Sequence, residues 1–248
     1  MKRLLPQIMG GLLGWMLAGF GLDGLAQPLP PFRHEPIFGL GPRTIWQGGW
    51  GIEVGVDRNR TVRADQWRLE YEVLYGLTVN WATTLVLEQP VDGAPVDVSV
   101  RTKYRFFRRD VRGGVYHAAV LGGLVLAEGA GAPEAVLLGL SAAYEGRRWL
   151  LFLTGRQRLG QRPVTRYDVA LGVRPVRTGY YQPDLVVMAE VNGQLFRDPV
   201  DHRMLAAVGL WLTYRNWAFK PGIQWPLYRS RGVEPLRSRW VGSIEVHF

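Results

Sequence analysis

The sequence predicts an all-β chain: a transmembrane, antiparallel up-and-down β-barrel of about twelve strands. Three observations lead there. Apolar and polar residues alternate with period two in segment after segment, the pattern of a strand with one greasy and one charged face. Aromatic side chains gather near the ends of those segments, as in the interfacial girdles of a membrane barrel. Beyond the first 26 residues, no stretch approaches the roughly 18 to 20 apolar residues that a spanning helix needs.

The elements follow in order. Lys2 and Arg3 precede a mostly apolar run from Leu4 to Leu22, and Gly24-Leu25-Ala26 supplies the small residues read by a signal peptidase. Residues 1–26 are therefore expected to be a secretory signal peptide cleaved after Ala26. Pro6, the glycines and Asp23 interrupt the run too often for a retained membrane helix. Residues 27–45 are rich in proline and read as an extended leader.

Residues 46–248 hold the barrel, with strands expected near 46–57, 65–76, 78–90, 97–109, 113–127, 133–145, 147–158, 164–175, 182–195, 203–215, 217–228 and 237–248. Each is near the ten or so residues of a tilted spanning strand. In the second, Trp67, Leu69, Tyr71, Val73 and Tyr75 oppose Arg68, Glu70 and Glu72. In the fourth, Val98, Val100, Thr102, Tyr104 and Phe106 oppose Asp97, Ser99, Arg101, Lys103 and Arg105. In the eighth, Tyr167, Val169, Leu171 and Val173 oppose Arg166, Asp168, Gly172 and Arg174. The eleventh sets Trp217, Phe219, Ile223, Trp225 and Leu227 against Lys220 and Gln224. The last sets Trp240, Ile244, Val246 and Phe248 against Glu245 and His247.

An even strand number returns the chain to the side on which it began. Periplasmic turns are expected to be short around Gly76-Leu77, Gly146 and Asn216, and longer near 109–112 and 176–181. The opposite connections, near 58–64, 91–96, 128–132, 159–163, 196–202 and 229–236, are expected to be longer, extracellular loops. A soluble sandwich also alternates, with its apolar face turned inward. It has no need of aromatic girdles, of polar faces carrying several charges of both signs, or of a last residue placed as Phe248 is.

The terminal aromatic resembles the signal that outer-membrane assembly machinery reads, and Phe248 is expected to be that assembly signal. Four phrases carry a wider resemblance: "YGLTVNW" at Tyr75–Trp81, "DVSVRTKYRFFRRD" at Asp97–Asp110, "YDVALGVRP" at Tyr167–Pro175 and "AEVNGQ" at Ala189–Gln194. In that order they resemble the outer-membrane transporter-like family named for the MetA pathway of phenol degradation. Val79-Asn80 departs from the acidic or polar pair more usual there. The resemblance implies a barrel of about twelve strands, a channel for small organic molecules in the outer membrane of a Gram-negative cell, and no catalytic residues.

With apolar faces toward lipid, charge fills the interior. Acidic candidates are Glu53, Glu70, Glu72, Asp97, Asp168, Asp184, Glu190 and Glu245. Basic candidates are Arg68, Arg101, Lys103, Arg105, Arg148, Arg156, Arg166, Arg174 and Lys220. The expected solute pathway draws on Glu70, Glu72, Arg101, Lys103, Arg105, Arg148, Arg156, Asp168 and Glu190, a set that can select by charge and hydrogen bonding. Arg101, Lys103 and Arg105 share one face, so they repel unless carboxylates or an anion sit opposite. Glu70 and Glu72 are the expected partners, and a neutralised network competes with an anion-binding patch. A barrel of this width lies between packed and open ones. The function expected is therefore a channel for small aromatic or anionic solutes, and the alternatives are a filled structural barrel or an outer-membrane hydrolase.

An enzyme is not expected. The chain has no G-x-S-x-G, H-E-x-x-H or P-loop string; of its histidines (His34, His117, His202, His247), His34 falls in the leader, His202 in a loop, and no serine lies beside His117 in sequence. The absence of cysteine excludes disulfides, thiolate metal sites and a Cys nucleophile, and no metal or cofactor is expected. The formal charge of +9 suits loops near 58–63 and 229–237 to lipopolysaccharide. It does not suit nucleic acid, because the basic residues alternate with lipid-facing ones rather than forming one exposed patch.

Overall fold

The computed structural model describes residues 35–37, 40, 41, 44–61, 63–126, 133–160, 163–175, 183–196, 201–230, 233 and 235–248. The expected signal peptide and much of the leader lie outside the described residues. Twelve strands run in order: β1 (Trp50–Thr61), β2 (Asp65–Thr78), β3 (Trp81–Pro90), β4 (Asp97–Val111), β5 (Gly114–Leu126), β6 (Pro133–Gly146), β7 (Trp149–Gly160), β8 (Val164–Val173), β9 (Asp184–Leu195), β10 (His202–Tyr214), β11 (Trp217–Arg229) and β12 (Leu236–His247). Each pairs antiparallel with its sequence neighbours, and β1 pairs with β12 to close the barrel. The closing seam runs from Gly51 opposite His247 to Thr61 opposite Leu236. At its end Trp50 and Phe248 exchange backbone hydrogen bonds of 3.1 and 2.9 Å.

The alternation in the sequence is the alternation in the barrel. Along β7, Trp149, Leu151 and Leu153 are exposed, while Leu150, Phe152 and Thr154 are buried in the interior. The same rule leaves Val54, Leu85, Val100, Val120, Leu140, Val169, Leu210, Phe219 and Ile244 on the outer surface. Trp50, Trp81, Tyr104, Trp149 and Trp217 stand outside near one rim, and Trp67, Trp225 and Trp240 near the other. A closed sheet satisfies its own backbone, and so large an apolar exterior is compatible only with lipid. The chain is a transmembrane β-barrel of the outer-membrane type.

Connections differ at the two ends. Four of the five on the side of Trp50 and Phe248 have two residues: 79–80, 112–113, 147–148 and 215–216. The fifth, 174–183, is longer. Those at the other rim have three to six residues. Short turns mark the periplasmic side of such barrels, and the two ends are called the turn end and the loop end below. The expected long turn near 109–112 is corrected: Arg109 and Asp110 pair with Tyr116 and Val115, and only Arg112-Gly113 turns, with Gly113 at φ 92°. Likewise Arg58 and Arg60 belong to β1, not to a loop, because Arg58 is drawn to Asp65 (2.6 Å) and lies 4.9 Å over the Trp67 ring.

The first strand starts four residues later than its expected position at 46, because Ile45 and Trp46 turn inward. Ile45 packs with Leu74 and Ala82 inside the barrel, with Trp46 against them. Gly76 permits this crossing, since a Cβ there would lie 1.9 Å from the Trp46 carbonyl oxygen. Upstream, Ile37 packs against a second interior cluster that includes Leu150, Phe152, Met188 and Trp211. Apolar wall side chains, with Ile37, Ile45 and Trp46, thus pack inside the turn-end half of the lumen.

Candidate solute pathway

The inserted segment is tied to the wall by polar contacts from widely separated strands. Lys103 Nζ donates to Glu35 Oε1 at 2.7 Å. The Ile37 backbone N–H donates to Glu190 Oε1. The Leu40 carbonyl accepts from both Ser141 Oγ (3.0 Å) and Thr154 Oγ1 (2.5 Å). Lys103, Glu190, Ser141 and Thr154 are all inward positions of alternating strands, so the barrel places them around one strand of leader. Buried hydroxyls need partners, and here the leader backbone supplies them.

Beyond this segment, toward the loop end, lies a cavity of about 470 Å³ whose lining includes Glu35, Leu40, Glu72, Glu88, Arg101, Arg156, Arg166 and Arg239. Its charges are distributed by strand. Glu53, Asp57, Glu70, Glu72 and Glu88 come from β1–β3, whereas Arg101, Arg156, Arg158, Arg166 and Arg239 come from β4, β7, β8 and β12. The separation is partial, since Arg68 of β2, Asp97 of β4 and Asp168 of β8 also line these cavities.

The expected pathway residues are distributed unevenly. Glu72 meets Arg101 at 3.4 Å, and Glu88 meets the same guanidinium at 3.6 Å. Glu70 lies beside Gly55 and Glu88 in register and lines the smaller adjoining cavity, but forms no ion pair with the Arg101, Lys103, Arg105 series among the described residues. Lys103 is engaged by Glu35, and Arg105 by Asn80 Oδ1 (2.8 Å) and the Val79 carbonyl (2.7 Å) near the turn end. Arg101 and Lys103 are thus ion-paired, whereas the contacts of Arg105 are to neutral amide and carbonyl oxygens. Asp168 lies 3.6 Å from Arg156 and accepts from Asn192 Nδ2 at 2.8 Å; Gln224 in turn donates to Asn192. Glu190 holds the leader. Arg148 departs from the expected interior: it sits exposed in the turn between β6 and β7, since pairing of that hairpin ends at Glu145 opposite Leu150. Phe248 is exposed at the seam.

Sequence reasoning missed Glu35 and Leu40, which a proline-rich leader gave no reason to place inside. It also missed Glu88, Arg158 and Arg239, although all three follow the inward alternation. The described histidines serve the wall: His117 lies 3.7 Å from Glu145, His247 2.6 Å from Glu245, and His202 2.8 Å from the Tyr167 hydroxyl.

No protein-family model matches the chain, and no curated protein sequence matches it either. Solved structures do. The NanC porin shares 8% identity over 79% of this chain and 98% of its own, with a TM-score of 0.57. The KdgM porin shares 9% over 80% and 99%, with a TM-score of 0.56. An outer-membrane channel from Pseudomonas putida F1 shares 12% over 87% and 100%, with a TM-score of 0.52. The chain has the fold of outer-membrane porin-like barrels. At such identities the likeness concerns architecture: a single closed barrel matched over nearly the whole of each partner.

Proposed function

We propose that the protein is an outer-membrane channel for small aromatic or anionic solutes, obstructed at its turn end by its own residues Glu35, Ile37, Leu40, Ile45 and Trp46. The observation that carries this is the charged cavity on the barrel axis, floored by a segment that polar contacts hold in place. Such contacts can be exchanged for water one at a time, whereas a continuous packed core cannot. The likeness to porin and channel folds supports the reading, as does the resemblance of the four phrases to the phenol-degradation family. Arg60 and Arg63 at the loop rim suit the anionic headgroups of lipopolysaccharide.

A second reading, a filled barrel without transport, is favoured by Phe152, Met188 and Trp211 in the turn-end half. Planar-bilayer recording of the purified protein separates the two. Discrete current steps are expected in the wild type, with more time spent open when Ser141→Ala and Thr154→Val are combined. Silence of both proteins across voltage would favour the filled barrel.

A further inference from the structure

The register of the barrel assembles one transverse row that sequence spacing does not reveal. Lys103 lies opposite Leu121, Leu121 opposite Gly139, Gly139 opposite Arg156, Arg156 opposite Arg166, Arg166 opposite Gln194, and Gln194 opposite Arg203. Seven neighbouring strands thus contribute lumen-facing residues to one row of register partners, and that row holds no carboxylate. Next to it, Arg101, Gly123, Leu137 and Arg158 form a second such row.

Two features of these rows are unusual for a wall. First, the inward positions Leu121, Gly123, Val125, Ala135, Leu137 and Gly139 of β5 and β6 make an uncharged strip in an otherwise charged lumen. Second, cations border the strip on both sides; on the far side Arg158 meets Glu134 at 2.8 Å and Arg156 meets Asp168 at 3.6 Å, while Arg166 has no ion pair among the described residues. On β4, Arg101 has Glu72 and Glu88, and Lys103 has Glu35. Across the strip, Arg156 and Arg166 are directly opposed like charges, an arrangement that destabilises a sheet. Asp168 reaches only Arg156, at 3.6 Å. Arg166 forms no hydrogen bond or ion pair with the described residues, and the buried Nε atoms of Arg156 and Arg158 find no acceptor among them. Buried donors left unfilled are costly.

We infer that this cavity binds a small organic monocarboxylate with an apolar body, its carboxylate on Arg156 and Arg166 and its body on the strip of Leu121 and Leu137. A bare inorganic anion would leave the strip wetted, and a neutral apolar solute would leave the guanidiniums unanswered. One molecule carrying both parts answers both. The inference deepens the solute-channel reading and takes its biological meaning from it.

The test is calorimetric titration of the full-length protein in detergent with benzoate, benzyl alcohol and inorganic phosphate. Benzoate is expected to bind saturably, and the other two at least about tenfold more weakly, the scale of one charge-assisted hydrogen bond or one buried ring edge. Arg166→Gln and, separately, Leu137→Asn should each weaken benzoate about tenfold, while Arg166→Lys retains part of the affinity. A folded-form shift on unheated gels confirms that each variant barrel is intact. Equal binding of phosphate and benzoate, equal binding of benzyl alcohol and benzoate, or an Arg166→Gln variant that binds like wild type would overturn the inference. A silent bilayer with benzoate binding intact overturns the channel reading alone. Conductance without benzoate preference overturns this inference alone.

Discussion

Lys220 ties both strands of the seam. Its ammonium bonds Glu53 of β1 and Glu245 of β12 and lies 4.9 Å over the Trp211 ring. Removing the cation leaves two carboxylates facing each other in a poorly hydrated interior. Lys220→Met is therefore expected to lower stability by about 3 kcal/mol, the scale of a broken buried ion pair. The midpoint of guanidinium unfolding in detergent reads this directly, and an unmoved midpoint would remove Lys220 from the seam's energetics. At this scale the sequence was partly legible. Period-two counting placed Glu53, Lys220 and Glu245 inside, but their meeting depends on the register of three strands. No local pattern encodes that register. Arg148 shows the converse, because one residue past the end of pairing the alternation stops having a direction.

Among elements, the inserted leader has the most far-reaching effect. Its proline content leads the sequence to be read as extended chain, since proline fixes φ and removes a donor. Its destination was not legible, because Leu40 is met by Ser141 and Thr154, residues 101 and 114 positions away. Gly76 offers a sharp test of the seating. A Cβ there meets backbone rather than a movable side chain, so Gly76→Ala should displace Trp46. Increased cleavage of the leader by an added protease, with the barrel strands still protected, is the expected readout. Wild-type protection would show that the leader adjusts without leaving.

For the whole molecule, the pairing of charges in the lumen is the feature to test. Replacing Arg101, Lys103 and Arg105 together by Ala removes the cation that Glu72 faces, the ammonium that Glu35 faces and one of the two guanidiniums that Glu88 faces, Arg68 being the other. The reversal potential in a salt gradient should then shift toward cation preference, and unchanged selectivity would take this network out of the ion path. The barrel itself was the most legible feature. Twelve alternating segments, an even count and paired girdles follow from the need of a closed sheet in lipid to be apolar outside. What the interior holds was less so, because lumen side chains answer to neighbours across the bore rather than along the chain.

A barrel hollow at the loop end and filled at the turn end is a cup more than a tube. A cup loads before it empties. Uptake into proteoliposomes should therefore saturate as solute rises, where a plain bore would give flux in simple proportion. It should also depend on orientation, because the cavity lies toward one end of the barrel among the described residues.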